Sequence, residues 1–139
     1  MRFWDSSAIL PLLLNESRSD RVSSLFRSDP IQAVWCLTLV EAYSAIARRS
    51  RKEISADEAR IAGKTLQALA DSWEEVASLD AVRERAIRLL EIHSLRSADA
   101  LQLAAALVFC DERTESLPFV CLDDRLAEAA RKERFPVLP

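Results

Sequence analysis

Short apolar runs alternate along this chain with longer segments in which apolar residues recur every three or four positions. The short runs are rich in β-branched and aromatic residues and predict strands at residues 3–4, 33–37, 76–79, 117–122 and 136–138. The longer segments predict helices at residues 8–14, 19–27, 38–51, 55–72, 81–92, 98–110 and 124–134. Ser55 and Glu58 form a capping-box sequence, and Asp80 is placed to cap the helix at 81–92.

This alternation predicts an α/β fold: a parallel sheet of about four or five strands with helices on both faces. The 139 residues are the usual length of one domain, and no linker or repeat interrupts them. The helix at 98–110 is almost entirely apolar, so we expect it to be central and buried.

Several classes of protein are excluded or disfavoured by composition. The only glycine is Gly63, which excludes a glycine-rich phosphate loop. The single histidine, His93, disfavours a zinc site, and we assign this residue no role. Cys36, Cys110 and Cys121 lie far apart in apolar runs and are predicted to be buried free thiols. The net charge of −3 argues against a nucleic-acid binder unless clustered acids hold cations.

The sequence has no secretory signal pattern after Met1 and no apolar run near the ~18 residues that a membrane span requires. We therefore expect a cytoplasmic protein that does not enter a membrane.

Two acidic residues follow predicted strands, where open α/β sheets bind ligands. Asp5 ends the first strand and Asp123 ends the strand at 117–122. If these strands are neighbours, the carboxylates lie side by side, and one pKa rises unless a cation intervenes. Either residue could instead cap the helix that follows it.

Glu41 and Asp99 are acids in the first turns of apolar helices. Glu41 could pair with Arg48, and Asp99 with Arg96 or with the helix dipole. Four buried carboxylates facing one place are untenable without a cation. Mg²⁺ and Mn²⁺ prefer carboxylate and water oxygens. We therefore predict a Mg²⁺ or Mn²⁺ site formed by Asp5, Glu41, Asp99 and Asp123.

At these residues the sequence resembles the PIN-domain proteins, and among them the VapC-like toxins of toxin–antitoxin pairs. Four motifs occur in the family's order: DSSA at 5–8, LTLVEA at 37–42, SADALQLAAA at 97–106 and VCLDDRLA at 120–127. Cys121 departs from the Thr or Ser that relatives often carry. Asp124 beside Asp123 leaves the identity of the fourth acid open.

The resemblance implies a metal-dependent endoribonuclease that hydrolyses RNA phosphodiester bonds as the toxin of such a pair. It also implies a strand order around 3-2-1-4-5, a homodimer, and a cognate antitoxin protein that blocks the site. Ser7 would orient Asp5 or a water molecule, although a local backbone hydrogen bond at the helix start explains it equally well.

Competing interpretations remain open. The chain could be a catalytically inactive PIN-fold binding module. A phospho-acceptor receiver domain would need an acidic pair near the first strand, and Ser6-Ser7 after Asp5 disfavours an Asp-x-Asp phosphatase.

Other residues outside the four acids have two interpretations each. The basic cluster is either a solvated helix end or a phosphate-contacting rim; it comprises Arg48, Arg49, Arg51 and Lys52. The three tryptophans could stack on bases, but core packing is expected for Trp4, Trp35 and Trp73.

Overall fold

Five short parallel strands form the centre of the computed structural model, which describes residues 1–139. The strands are β1 (Arg2–Trp4), β2 (Gln32–Trp35), β3 (Glu74–Val76), β4 (Phe119–Val120) and β5 (Val137–Leu138). Their order across the sheet is β3-β2-β1-β4-β5, and every pairing is parallel. The predicted α/β class and strand order are therefore confirmed.

Seven α-helices connect the strands, with a short 3₁₀ turn at Thr114–Ser116. They are α1 (Ser6–Leu13), α2 (Ser19–Ser28), α3 (Thr38–Ser50), α4 (Ala56–Ala70), α5 (Leu79–Ile92), α6 (Ser97–Phe109) and α7 (Asp124–Lys132). The predicted capping box is present: Ser55 accepts from the backbone of Glu58, whose carboxylate accepts from the backbone of Ser55. None of these helices is both long and apolar enough to cross a membrane.

The helices form two layers because successive strand residues point to opposite faces of the sheet. Phe3, Ala33 and Trp35 pack with α5, α6 and α7 on one face. Trp4 and Val34 pack with α1, α2, α3 and α4 on the other. Helix α6 is the most buried of the seven, as its apolar sequence predicts.

The tryptophans belong to this packing. Trp4, Trp35 and Trp73 are all buried, so the expectation of core packing is confirmed. Trp73 also donates from Nε1 to Oε1 of Gln32 at 2.9 Å. All three cysteines are free; Cys110 and Cys121 are buried as predicted, whereas Cys36 is only partly covered.

The third strand is the main local error of the sequence analysis. It was predicted at residues 76–79 but spans Glu74–Val76, and Leu79 already belongs to α5. Because β3 is an edge strand, it can carry the exposed charges of Glu74 and Glu75. A search for apolar runs excludes these two residues from a strand. Asp80 is not the cap: it lies inside the first turn and pairs with Arg83 at 2.8 Å.

The strand order places β1 at a switch point. From β1 the chain moves outward through β2 to β3, then returns to the other side of β1 for β4 and β5. Open parallel sheets bind ligands at such a point, beyond the carboxyl ends of the strands. Asp5, directly after β1, lies there.

Candidate metal centre

Asp5 is held at the carboxyl end of the central strand. Its backbone N–H donates to the carbonyl of Val120, which fixes it beside β4. Its Oδ2 accepts from the Ser7 backbone at 3.0 Å, from the Ser7 hydroxyl, and from the Cys121 thiol at 3.6 Å. Asp5 thus caps α1, as one interpretation expected, but Oδ1 accepts no hydrogen bond although the residue is only 2% exposed.

Burial raises the pKa of the Asp5 carboxyl from 3.8 to about 6, and the charges of Glu41 and Asp99 add to that rise. The hydrogen bonds from Ser7 counteract it only in part. No lysine or arginine forms an ion pair with Asp5. A buried carboxylate therefore lacks a positive partner among the protein's own side chains.

Glu41 is oriented by residues from two other helices. Its Oε2 accepts from Ser6 Oγ at 2.7 Å and from Gln102 Nε2 at 3.1 Å, which leaves Oε1 without a protein donor. Gln102 is buried and also donates to the hydroxyl of buried Thr38 at 3.0 Å. The suggested pairing of Glu41 with Arg48 is wrong, because Arg48 donates to Ser44 at 3.1 Å instead.

Asp99 lies half-buried in the first turn of α6. Its pKa is raised by burial and then by the nearby charge of Asp123, against the lowering influence of the Arg96 backbone and of the Arg96 and Arg125 charges. Asp99 forms no direct ion pair with either arginine, so the suggested Arg96 partner acts only at longer range.

Asp123 precedes α7 and is the N-cap of that helix, with Oδ1 accepting from the Leu126 backbone at 2.9 Å. Its other carboxylate oxygen accepts no hydrogen bond. Asp123 and Asp124 are both exposed, and Asp124 lies in the first helical turn. The expectation that all four acids are buried is therefore wrong: only Asp5 is, because Glu41 and Asp99 are half-buried at the open mouth of the cleft. Asp124 lines only the neighbouring cavity, whereas Asp123 lines the cleft beside Asp5.

One cleft of about 520 Å³ contains all four predicted acids. No three His, Cys, Asp or Glu side chains approach closely enough to form a ready-made metal cage. The acids therefore share a cleft without converging on a point. In the side-chain positions of this structure, Glu41 is turned toward Ser6 and Gln102, and Asp123 toward the start of α7.

The donor set nevertheless fits a hard divalent cation. Asp5, Glu41 and Asp123 each have one oxygen held by the protein and one that no protein group binds. The cleft lining contains no histidine. Burial and the Asp5 charge keep the pKa of the Cys121 thiol far above its usual range, so Cys121 supplies no thiolate to a softer metal.

Ser6, Thr38 and Gln102 are site residues that the sequence analysis missed. Gln102 gave a signal, because an amide inside the apolar helix 98–110 must find a partner when buried. Nothing in the sequence indicated that this partner was Glu41. The Ser7 hydroxyl donates to Asp5, as one of its two interpretations expected, and it also accepts from the Leu122 backbone at 2.9 Å.

Two other features lie outside the acidic cluster. The basic cluster at the end of α3 borders the cleft through Arg48, while Arg49 is paired with Glu16 and Glu53. His93 pairs with Glu133 at 2.6 Å and lines a different cavity, so it is not part of the cleft that contains the four acids.

The fold and the cleft together define a class: a parallel α/β domain with carboxylates gathered at the switch point of its sheet. The PIN domain family model matches residues 2–132, and the chain belongs to that family. PIN domains are generally metal-dependent nucleases. The predicted family is therefore confirmed.

Two solved structures share this fold. PAE2754 from Pyrobaculum aerophilum superposes with a TM-score of 0.62 and 20% identity, over 92% of this chain and 83% of that one. FitAcB from Neisseria gonorrhoeae superposes with a TM-score of 0.69 and 16% identity, over 100% of this chain and 97% of that one. No curated protein matches the chain in sequence.

Proposed function

We propose that this protein is a metal-dependent endoribonuclease that acts as the toxin of a toxin–antitoxin pair. The observation that carries the proposal is Asp5: a carboxylate buried in an acidic cleft, with a raised pKa, a free Oδ1 and no cationic partner. A bound divalent ion removes the cost of that arrangement. The nuclease activity general to PIN domains supports the same conclusion.

The proposed ligands of Mg²⁺ or Mn²⁺ are Asp5, Glu41, Asp99 and Asp123, directly or through water. Ser7 positions Asp5, because its hydroxyl donates to the Asp5 carboxylate and accepts from the backbone of Leu122, just after β4. Ser6 and Gln102 hold Glu41 in the same way from α1 and α6.

When bound, the metal supplies an activated water and stabilises the charge that develops on the phosphodiester. The chain's own residues orient the reactants. We assign to Glu41 Oε1, which no protein group donates to, the role of accepting the proton of the attacking water. The Ser7 hydroxyl, the Ser7 backbone and the Cys121 thiol all hold Oδ2 of Asp5, which leaves Oδ1 as the oxygen that would bind a metal.

RNA as substrate and the role as a toxin come from the resemblance of four sequence motifs to VapC-like proteins. On that basis we propose a cognate antitoxin whose peptide lies across the acidic cleft and excludes the metal. A homodimer and a cytoplasmic location belong to the same proposal.

The test is cleavage of total RNA by the purified protein with Mg²⁺ or Mn²⁺. We expect cleavage that EDTA abolishes and that Asp5→Asn or Asp99→Asn reduces by at least about a hundredfold. Arg88→Gln, an exposed change on α5 outside the cleft lining, is the matched control. Cleavage that persists with EDTA and in both variants contradicts the metal mechanism. RNA binding without any cleavage supports the alternative of an inactive PIN-fold binding module.

A further inference from the structure

Cys121 is a buried residue that contacts the acidic site from outside the cleft. It is 3% exposed and does not line the cleft. Its sulfur lies 3.6 Å from Oδ2 of Asp5, 3.4 Å from the main-chain carbonyl of Asp123 and 3.8 Å from the Ser7 hydroxyl. One side chain therefore touches two of the four candidate ligand residues without lining the space that would hold a cation.

The thiol has a single hydrogen for these three oxygens. Burial and the charge of Asp5 keep the pKa of Cys121 far above its usual range, so the sulfur keeps this hydrogen at neutral pH. The Asp5 carboxylate and the Asp123 carbonyl both lie where the thiol can donate to them. Rotation about the Cβ–Sγ bond moves the hydrogen from one acceptor to the other, and no heavy atom has to move.

The charge on Asp5 decides between these two acceptors. In the metal-free protein an ionised carboxylate is a stronger acceptor than a neutral carbonyl. A cation at Oδ1, the oxygen of Asp5 that no protein group binds, offsets this charge. The carbonyl of Asp123, which is also the closer of the two, then becomes the better acceptor. The preferred partner of the thiol therefore depends on whether Asp5 holds a cation.

A thiol is suited to such an exchange because S–H is a weak donor. A hydroxyl donates to a carboxylate at about 2.5–2.7 Å and roughly twice as strongly as to a neutral acceptor. Ser7 already provides that kind of bond to Oδ2 of Asp5. A second hydroxyl would hold the carboxylate whether or not a cation were present, whereas a thiol can exchange acceptors at little cost.

We propose that Cys121 is a positioning residue whose thiol donates to Asp5 in the metal-free protein and to the Asp123 carbonyl when a divalent cation is bound. The exchange frees Oδ2 of Asp5 from one donor and fixes the backbone of Asp123, the N-cap of α7. It thus couples the first acid of the site to the fourth. This inference rests on the proposed metal site and adds to it a residue outside the cleft.

Infrared spectroscopy of the unsubstituted protein tests the exchange directly. The S–H stretching band reports the strength of a thiol's hydrogen bond and lies apart from other protein absorptions. The spectrum of the metal-free protein is subtracted from the spectrum with Mg²⁺, at about pH 7.5, where Asp5 is ionised. We expect a band that moves to higher frequency with Mg²⁺, because a neutral carbonyl is the weaker acceptor.

Two cysteine variants assign this band. Cys121→Ala should remove the difference feature. Cys110→Ala is the matched control, since Cys110 is also buried and donates to a main-chain carbonyl, that of Leu107 at 3.6 Å. The feature should persist unchanged in that variant. Asp5→Asn should abolish it, because the acceptor is then neutral with and without Mg²⁺.

Titration calorimetry with Mg²⁺ measures the positioning role. We expect Cys121→Ala to bind Mg²⁺ roughly tenfold more weakly than the parent, and Cys121→Ser, which keeps a donor, to stay within about threefold of it. Cys110→Ala should bind like the parent. Both alanine variants lose one buried sulfur, so their melting temperatures should fall by similar amounts. A purely structural role would lower stability without changing the affinity for Mg²⁺.

Bound Mg²⁺ without any change in the S–H bands overturns the exchange, and this measurement needs no variant that might fold poorly. Equal affinity of Cys121→Ala and the parent overturns the positioning role, as does an equal loss in Cys110→Ala. Absence of Mg²⁺ binding overturns the inference together with the metal site. RNA cleavage with Mg²⁺ but no S–H change leaves the proposed function intact, whereas the S–H change without RNA cleavage supports the inference and contradicts the nuclease.

Discussion

Gln102 Nε2 on α6 donates to Glu41 Oε2 on α3 over 3.1 Å, and this bond joins helices from opposite layers of the fold. Thr38, also on α3, accepts from Gln102 at 3.0 Å, so both bonds between the layers pass over the carboxyl edge of the sheet. Gln102 therefore sets the position of a candidate ligand from the opposite helix layer. The position of Glu41 depends on how α6 packs.

Gln102→Leu should raise the Mg²⁺ concentration needed for half-maximal RNA cleavage by roughly ten- to a hundredfold, because Glu41 loses an orienting donor. Thr38→Val is the comparison: it removes the hydroxyl next to Gln102 but keeps the amide bond to Glu41. Both variants should lose roughly 1–3 kcal/mol of stability. An equal shift in metal dependence for both would mean that only packing matters.

Asp5→Asn should stabilise the metal-free protein at neutral pH. The Asp5 pKa rises from 3.8 to about 6 on folding, so between these values the native state holds a proton that the unfolded state has lost. The unfolding free energy of the unsubstituted protein therefore falls as pH rises through this window, the reverse of an ordinary salt-bridged aspartate. The full effect, above about pH 6, is up to about 3 kcal/mol. Asparagine keeps the helix cap.

Thermal melts of both proteins in EDTA, at about pH 7.5 and about pH 4, measure this effect. The gain should be clear at the higher pH and nearly absent at the lower one. Added Mg²⁺ should raise the melting temperature of the unsubstituted protein and leave that of Asp5→Asn almost unchanged. A variant that is less stable than its parent at both pH values contradicts the burial penalty.

Asp123→Asn and Asp124→Asn distinguish the two candidates for the fourth acid. Asp123 lines the cleft beside Asp5, whereas Asp124 lines only the adjoining cavity. We expect Asp123→Asn to lower metal-dependent cleavage by roughly a hundredfold and Asp124→Asn by no more than a few-fold. Stability should change little, since asparagine also caps α7. The opposite ranking would assign the fourth ligand to Asp124.

Ser7→Ala should affect both stability and activity. The Ser7 hydroxyl donates to Asp5 and accepts from the Leu122 backbone at 2.9 Å. Its loss leaves that N–H without a partner and should lower the unfolding free energy by about 1–2 kcal/mol. The Asp5 pKa should rise further, so the pH profile of cleavage should move to higher pH. Ser7→Thr, which keeps a hydroxyl, should restore the parent profile; a profile that stays shifted would argue against this role.

Local sequence patterns predicted the helices and strands, but they did not predict which strand would carry charged side chains exposed to solvent. The run at 76–79 looked like a strand because it is apolar, yet β3 uses Glu74 and Glu75, whose side chains an edge position leaves in water. Strand alternation alone cannot reveal that a strand lies at the edge, since this depends on the order of the whole sheet.

In the candidate site too, local features could be predicted from the sequence and contacts between distant residues could not. Asp5, Asp99 and Asp123 could be placed from the sequence because strand ends and first helical turns are local features. The partner of Glu41 could not, because Gln102 lies 61 positions away and was read only as part of an apolar helix. The pairing with Arg48 failed for this reason: it considered only neighbours on one helix.

The position of β1 between β2 and β4 also determines when its two edges can be paired during synthesis. β1 is made first, yet one of its two neighbours, β4, begins only at Phe119. A chain still growing at residue 118 has Asp5, Glu41 and Asp99 but neither Asp123 nor the second wall of the cleft. Its central strand has an open edge, which attracts other strands. A nascent chain that lacks residues 119–138 therefore has an incomplete cleft and an unpaired central strand, and it is prone to aggregation.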